Sequence, residues 1–298
     1  MRQALYVACM LAGSAGTAQA EQSVRFDAFN SSDADDTEIT KAGIGYDFVH
    51  HGVDRYQGIR IEQAIFQPEG GEKYRDQRLY YRFAGGDAWK WEGMLGTDGD
   101  TWLGNASIHS EDRFRQEYFV EREVVETRMG LERGLHHTLL GAAYDLPIND
   151  RNVVTLEGAE QDFSGDNTRT LLRGRYTWVA REDWGLSAQL RTRYFTSSDP
   201  NEFDYYSPDW YAEVIPTLQL RRFRGGWMYL AAAGVGRQRD SETDWRSARF
   251  FEAAIRSPQA GRDWFFQARV LHTNTASNAG AGDGYDYTQL MLEYNRQF

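Results

Sequence analysis

Two short stretches repeat one spacing. Arg173 and Arg175 in RTLLRGRYTW, and Arg191 and Arg193 in GLSAQLRTRYF, are each Arg-x-Arg. On an extended chain, residues two apart share a face, so each pair presents two guanidinium groups side by side. A guanidinium is a planar, permanently charged fork of donors matched to carboxylate and phosphate. The chemistry on offer is non-covalent. It is either the binding and guiding of an anionic, strongly hydrogen-bonding ligand, or mutual neutralisation with acids such as Glu157 and Glu213. Arg78 and Arg82 flank Tyr80 in QRLYYRF with the same parity, and Arg221 and Arg269 share it on other segments. Tyr211 and Tyr287 offer rings that stack on sugars or fill space. Bond-making chemistry is poorly provided for. The six histidines are His50, His51, His109, His136, His137 and His272. Two pairs are adjacent in sequence, and adjacent strand residues point to opposite faces, so neither pair chelates a metal. No nucleophile motif and no outer-membrane aspartyl protease signature is present. An enzyme, a metal site and a cofactor are therefore not expected.

The elements that must position these residues are strands. In KAGIGYDFVH, Ile44, Tyr46 and Phe48 alternate with Gly43, Gly45 and Asp47. Leu79, Tyr81 and Phe83 alternate with Arg78, Tyr80 and Arg82. Trp89, Trp91 and Leu95 alternate with Lys90 and Glu92. Val214, Pro216, Leu218 and Leu220 alternate with Glu213, Thr217, Gln219 and Arg221. Period two with one apolar face is a strand signature. Turn clusters such as SSDADD, PEGGE, TDGD, SGDN and FRGG separate the segments. About 16 strands of roughly 10 residues fit between them, the pattern of an outer-membrane barrel. Short connections (Gly85–Asp87, Ile148–Asp150, Arg181–Asp183, Arg224–Gly226) take turns with longer ones (Glu121–Leu135, Ser197–Asp209, Ala276–Tyr285), as periplasmic turns and outer loops do. Tryptophans 89, 91, 102, 178, 184, 227, 245 and 264 lie near strand ends, where aromatic girdles belong. A soluble β-sandwich also alternates, but does not ask for aromatics at strand ends.

The N-terminus agrees. MRQALYVACMLAGSAGTAQA has one basic residue, a short apolar run and a small-residue end. This is the layout of a secretory signal peptide cleaved after Ala20, leaving a barrel of residues 21–298. The single cysteine, Cys9, falls in the leader, so thiol chemistry and disulfides are excluded from the rest; the apolar run before Cys9 is too short for a lipoprotein signal. Loss of Arg2 with the leader leaves 32 of the 33 Lys and Arg against 44 Asp and Glu, moving the formal charge from −11 to −12. So acidic an exported chain is not expected to bind nucleic acid. The mean hydropathy is −0.66, and no stretch after Ala20 is apolar enough for a transmembrane helix. The chain ends LMLEYNRQF, with Leu290, Leu292, Tyr294 and Phe298 on one parity. An open strand edge in lipid would leave backbone groups unsatisfied, so this strand is expected to pair with the first, around SVRFDAF.

If the apolar parity faces lipid, the other parity faces the lumen, and there basic residues outnumber acidic ones although the protein is acidic overall. Such a wall concentrates permeants of the opposite sign. The loop Glu121–Leu135, with Glu121, Glu123, Glu126 and Arg128, is a candidate plug or gate. So is Ser197–Asp209, whose Asp199, Glu202 and Asp204 are placed to restrict the mouth.

Several segments resemble a known family: VETRMGLERGLHHTLLGAAYDLPIND followed by QDFSGDN, then YYSPDWY and RFRGGWMYLAAAGVGRQR. They are similar to the C-terminal barrels of bacterial exopolysaccharide exporters, namely the cellulose-secretion outer-membrane subunit, the Pel exporter and the poly-N-acetylglucosamine porin. The likeness is clearest from Val125 to Arg239, and the Tyr-Ser-Pro-x-x-Tyr piece at Tyr206–Tyr211 is its best motif. It implies a 16-stranded pore through which a polymer leaves the cell, driven by an inner-membrane synthase. It also makes Tyr294 and Phe298 look like the C-terminal signal read by the barrel-assembly machinery, with Arg296 departing from the usual apolar pattern. Members usually carry a tetratricopeptide-repeat superhelix ahead of the barrel. No 34-residue helical repeat is present here, so the resemblance implies a separate periplasmic repeat protein as partner, or another cargo. The alternatives from the residues alone are a diffusion porin for small solutes and, further off, a plugged receptor barrel or a barrel enzyme.

Overall fold

The computed structural model describes residues 21–258, 263–276 and 284–298. The expected leader, Met1–Ala20, lies outside these residues, as does part of the Ala276–Tyr285 connection. Sixteen strands form one closed antiparallel barrel in which each strand pairs with the next. They are β1 (Glu21–Asp33), β2 (Glu38–Gly52), β3 (Arg55–Gln67), β4 (Tyr74–Gly86), β5 (Trp89–Thr97), β6 (Trp102–Ser110), β7 (Gln116–Val124), β8 (His136–Asn149), β9 (Asn152–Phe163), β10 (Thr168–Arg181), β11 (Leu186–Ser197), β12 (Trp210–Arg224), β13 (Trp227–Asp240), β14 (Arg246–Arg256), β15 (Trp264–Thr273) and β16 (Tyr287–Gln297). The last strand closes on the first in continuous register from Ser23↔Gln297 to Asp33↔Tyr287.

The two periodic faces behave as the alternation requires. Ile44, Leu79, Leu140, Leu172, Leu218 and Leu292 are solvent-exposed apolar side chains on the outer wall. Without a lipid phase this would be unstable; in a bilayer it is the required surface. Their sequence neighbours Arg78, Tyr80 and Arg82 are buried inside. Trp89, Trp102, Trp210, Trp227 and Trp264 each open a strand, so aromatics ring both ends of the apolar band. One mouth carries mostly tight turns, such as 87–88, 150–151 and 225–226, together with the start of β1 and the end of β16. The other carries the longer connections, including 125–135 and 198–209. The first is the periplasmic side and the second the extracellular side of an outer-membrane barrel.

Among the described residues, one helix interrupts the strands. α1 (Arg128–Arg133) lies in the β7–β8 connection, capped by the Thr127 side chain and stopped by Gly134 at φ 67°, the left-handed conformation that glycine adopts freely. Leu131 of α1 packs on a cluster of Ile39, Ala64, Phe66, Tyr80, Leu103 and Val124. The helix therefore lies over the extracellular end of the barrel and fills it on the β2–β7 side.

Candidate functional site: the lumen and its lid

The lumen is divided between two kinds of wall. Along β1–β4 and β7 the polar side chains neutralise one another. Arg60 donates to Asp27 (2.9 Å) and to Glu62 (2.6 Å). Arg78 reaches Glu62 at 3.3 Å and Glu123 at 3.0 Å, and Lys41 pairs with Glu123 at 3.3 Å and Glu126 at 2.7 Å. Gly43 makes room for this net: a Cβ there would come within 2.6 Å of both Arg60 and Asp27. Arg78 is 1% exposed and Tyr80 2%, so the ion net encloses most of both side chains, with Tyr80 edging the cavity beneath the lid. Arg82 is buried as well, beside Asp47 and over the Tyr56 ring. Parity gives the face of a strand but not whether opposite faces meet, and here they do.

Along β9–β12 the wall stays open to a cavity of about 680 Å³. It is lined by Arg169, Arg173, Arg175, Arg191 and Arg193 against Glu121, Glu157 and Glu213, which leaves a net positive lining. The two Arg-x-Arg pairs lie as a ladder on neighbouring strands in register: Arg173 lies opposite Arg193, and Arg175 opposite Arg191. Like charges directly opposite repel, and counter-charges relieve this. Arg173 donates to Glu157 (2.7 Å) and Arg193 to Glu213 (2.9 Å) and to the carbonyl of Ala276 (2.8 Å). Arg191 lies over the Phe250 ring, 4.0 Å from Glu252, which also accepts from Arg269 at 2.9 Å. Arg175 meets only Thr155, at 3.4 Å, with no carboxylate within 4 Å among the described residues. Of the ladder it has the least counter-charge. Arg221 lies far from the group, exposed at the periplasmic end of β12. Tyr287 lines this cavity and the one above it. Tyr211 is fully buried; its hydroxyl sits 2.6 Å from Glu213 and 2.9 Å from Gln238, so it supports the wall instead of facing a ligand.

The two connections predicted as gates meet over the extracellular mouth. Glu121 and Glu123 are corrected in position: both belong to strand β7, because its pairing with β8 continues to Val124↔His136. Glu123 anchors the ion net, and Glu121 lines the basic cavity beside His137, 3.8 Å away. The connection proper starts at Val125. Asp204, from the β11–β12 connection, accepts from Thr127 Oγ1 (2.5 Å) and from the backbone N–H of Met129 (2.7 Å). It thereby adds a second cap to α1, whose first residue is Arg128. Glu202 accepts from the N–H groups of Asp166 and Asn167, and Phe163 stacks on Tyr205 with centroids 4.2 Å apart. Burial pushes the Tyr205 hydroxyl up to about 12, so it stays a donor. These acids tie loop to loop; Asp199 is exposed beside them.

A group that sequence reading missed closes the barrel. Ser23, Asp47, His50 and Asn295, from β1, β2 and β16, are all buried. Ser23 Oγ donates to Asp47 (2.8 Å) and lies 3.2 Å from His50 Nδ1, while Asn295 donates to Ser23 (3.2 Å). Serine, histidine and aspartate are hydrolase types, but the same ring nitrogen faces both Ser23 and Asp47. A hydrolase triad needs one nitrogen for each. The signal was a serine and an aspartate on lumen parity at the chain's closing seam, legible only once the β1–β16 register is known.

A sixteen-stranded closed barrel with a lipid-facing apolar wall and a polar lumen defines the class by its fold: that of the outer-membrane β-barrels. Among solved structures, a protein described as a bacterial polysaccharide outer membrane secretin superposes with a TM-score of 0.65 at 13% identity, covering 95% of this chain and 99% of that one. Pseudomonas aeruginosa OprD gives a TM-score of 0.46 at 10% identity, over 93% and 95% of the two chains. Pseudomonas aeruginosa OccK7 gives 0.45 at 9% identity, over 93% and 98%. At these identities the likeness is one of fold. No family model matches the sequence, and no curated protein does.

Proposed function

We propose that this barrel is a passive outer-membrane conduit for export of an anionic extracellular polysaccharide. The carrying observation is the basic cavity of β9–β12, where ladder arginines face a space of about 680 Å³ with fewer acids than bases. A carboxylated or otherwise acidic polymer is drawn into such a space and held weakly at several points, as passage requires. The resemblance of the YYSPDWY region to exporters, and the fold-level likeness to a protein described as a bacterial polysaccharide outer membrane secretin, support the same reading. In it a separate synthase complex drives the polymer, and a separate periplasmic repeat protein delivers it. A second reading, a diffusion porin for small solutes, is favoured by one feature: Glu121, Glu157 and Glu213 share the cavity with the arginines, and mixed charges suit small zwitterions.

Single-channel conductance in planar bilayers separates the two. Anion selectivity and block by polyuronate fragments, but not by neutral glucan fragments, are expected, with both lost when Arg173, Arg175, Arg191 and Arg193 are changed together to Glu. A steady conductance indifferent to every polymer fragment sinks export and leaves the porin.

A further inference from the structure

Among the described residues, two cations of the outer wall have no counter-charge on the protein. Arg237 on β13 and Arg249 on β14 lie on the outward parity, with Val235 and Phe251, which are 70% and 44% exposed. Register sets Val235 opposite Arg249 and Arg237 opposite Ser247, so the two guanidinium groups are diagonal neighbours, within reach of one ligand. Both are exposed. Among the described residues, neither side chain has a hydrogen bond, ion pair or ring partner, whereas each ladder arginine has at least one. Arg239 follows on the same face. It lies over the Trp210 ring, and among the described residues the acid beside it is Asp244, 4.0 Å away and fully exposed in the connection above.

Their height is as informative as their parity. β13 ends at Asp240 and β14 begins at Arg246, so Arg237, Arg239 and Arg249 sit within a few residues of the extracellular rim, level with Trp210. Below them the outward positions of the two strands are apolar or aromatic, with Ala233 opposite Phe251, Ala231 opposite Ala253 and Tyr229 opposite Ile255. An arginine on the lipid face is costly at mid-membrane and nearly free near the interface, where an anionic head group meets it. Guanidinium and phosphate pair bidentately, and three guanidinium groups over an apolar strip match a phosphate with acyl chains beneath.

We propose that Arg237, Arg239 and Arg249 bind the phosphate of an acylated phosphoglycan of the outer leaflet, a lipid A-type glycolipid, with Val235 and Phe251 against its chains. This site is on the outside of the barrel and does not depend on what the lumen carries.

The test uses the full chain purified in neutral detergent, with binding read by thermophoresis. Bisphosphorylated lipid A, the same lipid dephosphorylated, and inorganic phosphate are the probes. Arg237→Ala with Arg249→Ala is expected to weaken lipid A binding at least about tenfold, the loss of a charge-assisted pair. Arg222→Ala with Arg224→Ala, exposed at the periplasmic end of β12, is expected to leave it unchanged. Dephosphorylated lipid is expected to bind at least about tenfold more weakly to the unaltered chain, a comparison that needs no variant and stands even if the double variant fails to fold. Equal binding by Arg237→Ala/Arg249→Ala, equal loss in the periplasmic pair, or equal binding of dephosphorylated lipid overturns the proposal. So does displacement of the lipid by inorganic phosphate at matching concentration.

Discussion

Arg175 and Arg193 share a motif and a cavity, yet the structure gives them different work. Arg193 is held by Glu213 and the carbonyl of Ala276 and lies over the Tyr211 ring. Removing it leaves Glu213 without its cation in a largely enclosed wall, so Arg193→Ala is expected to destabilise the barrel by about 3 kcal/mol, read as a lower urea midpoint in detergent. Arg175 meets only Thr155 among the described residues, so Arg175→Glu is expected to leave that midpoint within about 0.5 kcal/mol while shifting the reversal potential in a salt gradient toward cations. The reverse pattern, a stability loss at 175 and none at 193, would make the unpaired residue structural and the paired one free. Which arginine is which was not legible in sequence. Parity placed all four inside, but Glu213 and Glu157 come to them only through the β11–β12 and β9–β10 registers.

At the scale of elements, the strands and the places of their connections were readable, but the contacts that fold the long connections into a lid were not. Alternation in segments such as QRLYYRF is imposed by lipid on one side and water or packed polar groups on the other, so it survives in the residues themselves. The lid is set by contacts distant in sequence: Asp204 reaches Thr127 and Met129 across 77 and 75 positions, and no local pattern announces that. The same blindness placed Glu121 and Glu123 in a loop, since alternating Glu-Arg-Glu looks like a connection until β8 pairs with it. The lid also makes a prediction. Asp204 caps a helix of only six residues, too short to hold itself. Asp204→Ala removes about 1 kcal/mol of capping, which is about a fivefold change in the balance between docked and undocked α1. Single-channel records of this variant are expected to show longer open times or larger conductance than the unaltered chain, with no change in heat-modifiable migration. Records indistinguishable from it would remove α1 from any gating role.

For the whole molecule, the issue is closure. A barrel in lipid has no stable open form, because the free edges of β1 and β16 would each expose a row of unpaired backbone groups. The backbone register alone does not choose its partner strand with much specificity, since a shift by two residues keeps every apolar side chain facing out. The buried group at the seam supplies what the backbone lacks. Ser23, Asp47, His50 and Asn295 meet only if Ser23 lies opposite both Gln297 and Asp47; a slip by two residues strands a buried carboxylate and a buried amide. Arg82 leans on the same Asp47 at 3.6 Å, so the seam is tied to β4 as well. Asp47→Asn with Ser23→Ala is therefore expected to cost about 1–3 kcal/mol, the price of leaving buried polar groups unmatched. More tellingly, it is expected to slow closure: refolding into detergent should accumulate a species with full strand content that still migrates as unfolded on a cold gel. Gln297, at the solvent-accessible end of the same pair, gives the comparison. Gln297→Ala leaves the buried group intact and is expected to refold at the unaltered rate, so a delay in both variants would assign it to β16 generally and not to the seam.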